Sequence, residues 1–215
     1  MANKYLRHGE TYCGNGTTSA AATSNGGVGA WNNINVLEGS APAYGALAAG
    51  DTVRIRSKDA AGADIARVST GAKTLGSSVA TLAAPVTWVL DAGTVWSGIA
   101  GTLVFEVSSG NYGFSHTQYN IIHADAVDSI VFKISQASYY ADSYSMGAGA
   151  ILSNAWFWWD SVAMTSSGPS GPVAIGYQNG IAQLINPRFS VGAQLYSHLF
   201  RAYAHSSLHI TTPRI

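Results

Sequence analysis

The sequence predicts an all-β chain that winds through repeated coils, a β-solenoid, and three observations support this prediction. Several segments alternate apolar and polar residues, as half-buried strands do. A short motif that begins at Leu184 recurs at Ile210, near the end of the chain. No segment has the length and apolar periodicity of helices that would alternate with the strands. A β-sandwich is the alternative, because turn residues recur every ~8–12 residues in any protein made of short strands.

The repeated motif is Leu184-Ile185-Asn186-Pro187-Arg188-Phe189, and its second copy is Ile210-Thr211-Thr212-Pro213-Arg214-Ile215. We extend the series upstream with one presumed inward-facing residue per strand, which gives Ile55, Val107, Ile134, Trp159, Ile185 and Thr211. The first step is twice as long as the others and counts as two coils, with Leu82 near its middle. The sequence therefore predicts coils of about 26 residues that cover one another's apolar faces.

Alternation also locates the individual strands, because successive side chains of a strand point to opposite faces. Val53 and Ile55 alternate with arginines, and Phe105 and Val107 alternate with polar residues. Phe132 follows the same pattern in the next segment. The predicted strands are residues 52–56, 86–90, 102–108, 119–123, 129–135, 173–177, 181–191 and 207–215, with further strand structure in 150–164.

The composition points to a chain whose surface is covered by other subunits. Charged residues make up 10% of the 215 residues and hydrophobic residues 47%, whereas soluble proteins carry about 25% charged residues. A free monomer of this composition would be poorly solvated, so we expect much of its surface to be covered by other subunits. The formal net charge of zero disfavours nucleic acid as a partner, since such binding relies on a basic surface.

The composition and the start of the chain also bear on where the protein folds. One cysteine, Cys13, excludes an intrachain disulfide and is compatible with folding in a reducing cytosol. No stretch has the length of a membrane span, and residues 1–8 lack the apolar core of a signal peptide. We expect synthesis in a cytoplasm, no membrane insertion and no secretion by the ordinary route.

Residues 1–50 form a separate unit in this prediction. Residues 1–30 contain a short arm and a segment rich in Gly, Ser, Thr, Asn and Ala, with turn residues at Gly14-Asn15-Gly16 and Gly26-Gly27. We expect this extended arm to be held by a neighbouring protein. The predicted division is residues 1–50 as attachment arm and cap, and residues 51–215 as the repeated domain.

Three short motifs in this unit occur in a characteristic order: Gly14-Asn15-Gly16-Thr17, then Trp31-Asn32-Asn33-Ile34, then Leu47-Ala48-Ala49-Gly50-Asp51-Thr52-Val53. This order resembles the opening of many right-handed parallel β-helix proteins of the pectate-lyase-like superfamily, a group that includes bacteriophage tailspikes and other virion proteins. The resemblance covers about residues 11–57. It implies an N-terminal cap that leads into the first coil at Gly50-Asp51-Thr52-Val53, and a protein that belongs to a virion.

Candidate catalytic residues are few. Phage tailspikes of this fold often cleave surface polysaccharide, and glycoside hydrolysis requires two carboxylates about 5–10 Å apart. Asp125, Asp128, Asp142 and Asp160 lie near predicted strand surfaces, and no two of them share a face by clear spacing. Asp142 and Asp160 are the weak catalytic candidates. Structural turn or surface carboxylates are the favoured interpretation of all four.

Aromatic residues are the stronger candidates for a binding surface. Within Trp156-Phe157-Trp158-Trp159, alternation buries Phe157 and Trp159 and exposes Trp156 and Trp158. Exposed aromatic rings serve as anchors of protein interfaces or stack on sugars. Three tyrosines admit the same two interpretations: Tyr139, Tyr140 and Tyr144.

Neither a metal nor a cofactor is predicted. His123 and Asp125 lie two positions apart on a predicted strand and share a face. No third ligand accompanies them, and a zinc site needs three or four. The glycine-rich segments lack the Lys-Ser/Thr and the strand–loop–helix context of a phosphate-binding loop.

These observations lead to one functional expectation and two alternatives. The expectation is a structural protein of a bacteriophage virion, such as a tail spike, a tail fibre component or a capsid decoration protein. It would act as a homotrimer, through adhesion. Residues 1–30 would dock on other virion proteins. The first alternative is a polysaccharide-degrading tailspike enzyme, and the second is a module that binds a host surface glycan without cleaving it.

Overall fold

The computed structural model describes residues 1–71, 73–91, 96, 99–107, 114–125, 128–134, 144–159, 173–177, 180–191, 198–202 and 206–211. In chain order, the strands in these residues are β1 Asn3–Leu6, β2 Thr52–Arg56, β3 Ile65–Ser69, β4 Lys73–Leu75, β5 Val86–Asp91, β6 Thr102–Val107, β7 Phe114–His116, β8 Asn120–Ala124, β9 Ser129–Ile134, β10 Tyr144–Met146, β11 Ile151–Ser153, β12 Ala155–Trp159, β13 Val173–Tyr177, β14 Gly180–Ile185, β15 Arg188–Val191, β16 His198–Ala202 and β17 Ser206–Thr211. One short 3-10 helix, Ile34–Val36, precedes β2.

The strands form three sheets that the chain visits in rotation. Sheet A has seven strands in the order β1-β2-β5-β8-β11-β14-β17, sheet B has β15-β12-β9-β6-β3, and sheet C has β16-β13-β10-β7-β4. From β2 onward, each strand pairs with the strand three places later in the chain. Every pairing between strands in the described part is parallel. The all-β prediction is confirmed. The β-sandwich alternative is not supported, because sandwiches are built from antiparallel sheets.

The length of one circuit through the three sheets varies, so the prediction of a constant interval is wrong. Successive partners in sheet A are Val53, Trp88, Ile122, Leu152, Leu184 and Ile210. The circuit from Val53 to Trp88 is the longest of these and the one from Leu184 to Ile210 the shortest. Strand pairing fixes the register of each circuit, whereas the connections between strands tolerate insertions. The predicted series therefore holds in two places: Val107, Ile134 and Trp159 are successive partners in sheet B, and Ile185 and Thr211 are partners in sheet A. It fails in the other circuits of sheet A.

Other steps of the predicted series fail. Ile55 lies in sheet A and Val107 in sheet B, so the two are not two circuits apart in one row. Leu82 lies between strands and is 78% exposed. In β14, Leu184 is fully buried and Ile185 only partly, so the inward frame is one position from the predicted one. Where two adjacent strand residues are both apolar, alternation does not show which of the two side chains points into the core.

The interior of sheet B is a stack of phenylalanines. Phe105, Phe132 and Phe157 are successive partners in β6, β9 and β12. Their rings stack at centroid distances of 5.7 Å and 5.5 Å, and Phe114 of β7 meets Phe132 edge-on at 5.3 Å. All four side chains are buried. The predicted inward facing of Phe105, Phe132 and Phe157 is confirmed.

The N-terminal segment folds onto the rest of the chain instead of extending as an arm. β1 pairs with β2 in sheet A, and Leu6 also forms a parallel bridge with Trp31 on its other side. Hydrogen bonds within the segment fix its loops, for example Gly14 N to Ala30 O at 2.9 Å and Gly16 N to Gly29 O at 2.8 Å. Turn-rich sequence without strong strand propensity still packs when its backbone groups find partners. One core cluster includes Leu6, Cys13 and Trp31 together with the strand residues.

The motif residues of positions 11–57 build this cap. Trp31 is fully buried, and its indole Nε1 donates to Tyr44 O at 2.7 Å. Gly16 lies against the ring, because a Cβ built there would be 2.5 Å from Trp31 Cε2. The buried carboxylate of Asp51 accepts hydrogen bonds from Ala2 N and Ala48 N, both at 3.0 Å. Each motif therefore supplies a contact that closes the end of sheet A.

A carboxylate closes the neighbouring end of sheets B and C. Glu38 follows the 3-10 helix, and its side chain is 7% exposed. It accepts from Arg67 Nε of β3 at 2.8 Å and from Lys73 Nζ of β4 at 2.6 Å. Arg67 also donates to the side chain of Asn35. This cluster ties the cap to the first strands of both sheets.

Candidate functional site: the groove beside Trp156

Two asparagines form the turns between sheets A and B. Asn154 follows β11 and Asn186 follows β14, with φ angles of 53° and 49°. Their backbone N–H groups donate to Ile185 O and Thr211 O in the adjacent circuits. Asn154 Nδ2 donates to Ala124 O at 2.7 Å, and Asn186 Nδ2 donates to Asn154 Oδ1 at 3.4 Å. Asparagine tolerates this left-handed conformation better than other non-glycine residues, so the two amides stack in line at one corner.

Trp156 and Arg188 stand next to these turns on the outer face of sheet B. They are direct partners in β12 and β15. The guanidinium carbon of Arg188 lies 4.9 Å from the centroid of the Trp156 ring. Trp156 is partly buried and Arg188 is exposed. The arginine is thus held beside the ring while its remaining donors face solvent.

Asp128 and Ser129 form the opposite end of the same corner. Asp128 is buried, and its Oδ1 accepts from Gly101 N at 2.8 Å. Ser129 Oγ lies 3.1 Å from Thr102 Oγ1. Together these elements enclose a groove of about 490 Å³, which we name the Trp156 groove, lined by Asp128, Ser129, Asn154, Ala155, Trp156, Asn186 and Arg188. An aromatic ring, two amides, a carboxylate and a guanidinium therefore converge on one open cavity.

A pair of carboxyl groups lies at the ends of two neighbouring strands of sheet A, β5 and β8. Asp91 and Asp125 directly follow Leu90 and Ala124, which are partners in β5 and β8. The side chain of Asp91 is fully buried and bonded to Arg54 Nη1 at 2.6 Å. Burial raises the pKa of Asp125 above its ordinary value, and the charge of Asp91 and its hydrogen bond to Asp125 add to that rise, while His123 opposes it. Asp91 is therefore enclosed and paired with Arg54, whereas Asp125 is only partly buried.

Sequence reasoning missed this carboxyl pair and most of the groove. Asp91 and Asp125 belong to successive circuits, and only the true circuit length in that part of the chain would have aligned them. The Pro-Arg motif identified Arg188 as part of a repeat but not as part of a binding surface. Asn154 carries no motif at all, since its role follows from the turn geometry.

The predicted binding residues are only partly brought together. Trp156 lines the groove as described. Trp158 follows on β12, where its backbone pairs with Lys133 and Ser190, and Tyr144 begins β10; their side chains are outside the described set. The remaining predicted residues lie outside the described residues: Tyr139, Tyr140, Asp142 and Asp160.

The outer face of sheet A carries a second surface, which is apolar. Ile121 and Ile151 are partners in β8 and β11, and Leu82 and Ile181 beside them are 78% and 56% exposed. A shallow pocket of about 290 Å³ lies here. We name this surface the apolar stripe, defined by Leu82, Pro85, Tyr119, Ile121, Gly149, Ala150, Ile151, Ile181 and Gln183. None of these side chains is charged.

In the part of the chain that the structure describes, no group of three or more His, Cys, Asp or Glu side chains is arranged to hold a metal ion. Within the same residues, no helix has the length and hydropathy needed to cross a membrane. Comparison with known proteins gave no match to a protein-family model, a curated protein or a solved structure.

Proposed function

We propose that this chain is a structural protein of a bacteriophage virion, folded as a right-handed parallel β-helix and assembled as a homotrimer. The observation that carries the proposal is the apolar stripe. It places exposed Leu82 and Ile181 beside the partly exposed Ile121 and Ile151 on one face of sheet A. A monomer would leave this face in water, whereas assembly would bury it.

The topology supports the β-helix part of this proposal. A chain that passes through three parallel sheets in rotation, with each strand paired to the strand three places on, follows the path of a solenoid. The right-handed sense follows from the strong preference of parallel crossovers for that hand. The resemblance of residues 11–57 to the opening of virion β-helix proteins supports the placement in a phage particle.

A second copy of the same chain is the occupant that best fits the apolar stripe. The stripe lacks charged residues, so its partner surface needs few charges to avoid burying an unpaired ion. With 10% charged residues, another copy of this chain supplies such a surface. A trimer would let each copy present the face of sheet A to a neighbour around a three-fold axis.

Residues 1–30 are the proposed attachment surface toward other virion proteins. Although they fold onto the chain, Tyr12 and Val28 project from them with exposures of 43% and 68%. Apolar side chains in a loop fixed by backbone hydrogen bonds present a preformed contact, which lowers the entropy cost of docking. Several such contacts from one oligomer would act together.

Substitution of the stripe tests the assembly proposal. Leu82→Ser with Ile181→Ser replaces two exposed apolar side chains and leaves the core unchanged. We expect the double variant to lose the oligomer by light scattering while its circular dichroism stays that of the wild type. Val68→Ser is the matched control, because Val68 is 64% exposed on sheet B. A double variant that keeps the wild-type mass would overturn the assignment of the interface.

Labelling of particles tests the virion assignment. Antibodies raised against the purified chain should label phage particles from the source host in electron micrographs, at the head surface or along the tail. Purified particles without label and without the chain in their protein content would contradict the assignment. The enzymatic alternative rests on Asp142 and Asp160, which lie outside the described residues.

A further inference from the structure

We propose that residues 33–38, which we name the helix lid, open in mild acid, with the imidazole of His8 as the contact that senses the proton. The lid consists of the 3-10 helix, its N-cap residue Asn33 and the two residues that follow the helix. This inference goes beyond assembly, because the lid lies at the cap end of sheets B and C, whereas the apolar stripe lies on the outer face of sheet A.

The helix lid covers one end of the core with three apolar side chains. Ile34, Val36 and Leu37 are all buried. Leu37 O also accepts a hydrogen bond from Gly76 N, just after β4, at 2.8 Å. A single 3-10 turn has little stability of its own. The lid therefore stays closed through its contacts with the rest of the chain, and opening it would expose apolar side chains.

His8 holds the first N–H group of the lid's helix in a way that requires a neutral imidazole. The backbone N–H of Ile34 donates to His8 Nδ1 at 3.4 Å. A neutral ring accepts through one nitrogen, whereas both nitrogens of a protonated ring are donors. Protonation of His8 would thus place two donors against each other. The backbone of His8 is fixed separately, because its carbonyl accepts from Ala60 N at 2.9 Å.

The charged groups around His8 also oppose its protonation while the lid is closed. Arg67 of β3 repels a charged imidazole, whereas Asp59 in the loop after β2 and Glu38 of the lid attract it. Asp59 accepts from two backbone N–H groups of its own loop, and Glu38 accepts from Arg67 and Lys73. Burial and the charge of Arg67 lower the pKa of His8, and they outweigh the two carboxylates and a backbone hydrogen bond.

The direction of this pKa change determines when the lid opens. In the closed lid, His8 stays neutral below its ordinary pKa of 6.5, whereas in the open lid the imidazole binds a proton there. Opening is therefore favoured as pH falls below about 6.5. At Glu38, burial is outweighed by hydrogen bonds from Arg67 and Lys73, which lower its pKa below 4.5. Loss of these bonds is a second step at lower pH, so His8 acts first.

Hydrogen–deuterium exchange of the whole chain tests the proposal. The probes are the amides of Leu37 and Ser40, which donate to Ile34 O and Asn35 O. After correction for the intrinsic exchange rate, we expect these amides to exchange three- to tenfold faster at about pH 5.5 than at about pH 7.5; about tenfold is the limit for one imidazole of ordinary pKa. Their exchange should not respond to about 1 M urea, because local opening exposes far less surface than global unfolding.

Two variants identify the imidazole as the sensor. His8→Asn keeps an acceptor oxygen near the position of Nδ1 but binds no proton, so it should remove the acid effect on the lid. His209→Asn, on β17 at the opposite end of sheet A, should keep the effect. The proposal would be overturned by wild-type exchange that is equal at both pH values, by lid amides as sensitive to urea as those of β6, or by the same acid effect in His8→Asn. The first two results come from the wild type alone, and none depends on the mass of the oligomer.

Discussion

The indole of Trp88 donates a hydrogen bond from Nε1 to Asn120 Oδ1 at 2.9 Å, and both residues are fully buried. Asn120 Oδ1 also accepts from Ser77 N at 2.9 Å, and its Nδ2 donates to Ser77 O and Gln118 O. A Cβ on Gly76 would approach Asn120 Cγ to 2.6 Å. The amide therefore joins sheet A to the connections around it in the middle of an apolar core.

Replacing this amide should destabilise the chain strongly. Asn120→Ala leaves the Trp88 indole and the Ser77 backbone groups without partners, and each unsatisfied buried group costs about 1–3 kcal/mol. We expect the free energy of unfolding to fall by roughly 3 kcal/mol or more, measured by urea denaturation. Asn3→Ala is the control at an exposed strand position and should change it by less than about 0.5 kcal/mol. Equal effects of the two substitutions would contradict the role of Asn120.

Two glycines separate the stability cost of a steric clash from the cost of a left-handed backbone conformation. Gly16 and Gly62 have similar φ angles of 77° and 84°, but a Cβ on Gly16 would collide with Trp31, whereas one on Gly62 meets nothing within 4 Å. Gly62→Ala should cost about 1 kcal/mol of stability, the cost of the left-handed conformation alone. Gly16→Ala should cost at least about 2 kcal/mol more, because the buried Trp31 ring must shift. Thermal denaturation of the two variants measures the difference, and similar losses would refute the proposed packing of the cap.

The Glu38 cluster provides a third prediction. Burial alone would raise the pKa of Glu38, but hydrogen bonds from Arg67 and Lys73 and their charges outweigh that effect and lower it. Glu38→Gln should destabilise the chain by roughly 1–3 kcal/mol near pH 7. Because the folded-state pKa is depressed, the contribution of Glu38 is present above the unfolded-state pKa and is lost as pH falls through the folded-state pKa. The difference between variant and wild type should therefore shrink in acid.

Glu106 serves as the control for Glu38, because its substitution by Gln removes the same charge from a more exposed ion pair. Glu106 contacts Lys133 at 3.5 Å in a more exposed pair, with side-chain exposures of 20% and 26%. Glu106→Gln should cost less than about 1 kcal/mol. Stability that depends on Glu106 as much as on Glu38 would contradict the importance of the cap cluster.

His116 predicts a loss of stability in mild acid. Its imidazole is buried in β7, with Nε2 3.2 Å from Asn120 O, and burial lowers its pKa to about 4. Between pH ~6.5 and ~4 the unfolded chain binds a proton at this residue that the folded chain does not. Stability should fall across this range by roughly 3 kcal/mol from His116 alone. The lowered pKa of His8, caused by burial and by the charge of Arg67, acts in the same direction.

Denaturation at a series of pH values checks this effect. His116→Gln removes the titrating group, so its stability should depend less steeply on pH between about 6.5 and 4 than that of the wild type. The raised pKa of Asp125 acts in the opposite direction, which makes the comparison of slopes more informative than the slope of the wild type alone. Identical slopes would contradict a neutral, buried His116.

Alternation predicted the strands well, because side-chain facing depends on neighbouring residues alone. The strand pattern of Val53 and Ile55, and the inward facing of Phe105 and Phe132, are present as predicted. Short strands such as Phe114–His116 were missed, because a strand of this length is too short to show a period of two. The interval between circuits was predicted correctly from Val107 to Trp159 and from Ile185 to Thr211. It was wrong for the first circuits, since the length of a loop cannot be inferred from the strand pattern.

Of the residues that line the groove, only Trp156 was predicted from the sequence as a binding residue. Trp156 stood out as an exposed aromatic, whereas Asn154 and Asp128 reach the groove through turns whose geometry depends on pairing between distant strands. The cap shows the opposite case. Its motif residues Gly16, Trp31 and Asp51 were recognised by order, and each makes a specific buried contact.

The solution mass of the purified wild-type chain tests the central claim, assembly through the apolar stripe, most directly. Light scattering on the eluting peak of a size-exclusion column should give three times the 22.4 kDa mass of one chain. That mass should persist on dilution to about 1 μM, as a stable interface of this kind requires. A mass of 22.4 kDa at every concentration would contradict the account, because the apolar stripe would then face water in the native protein.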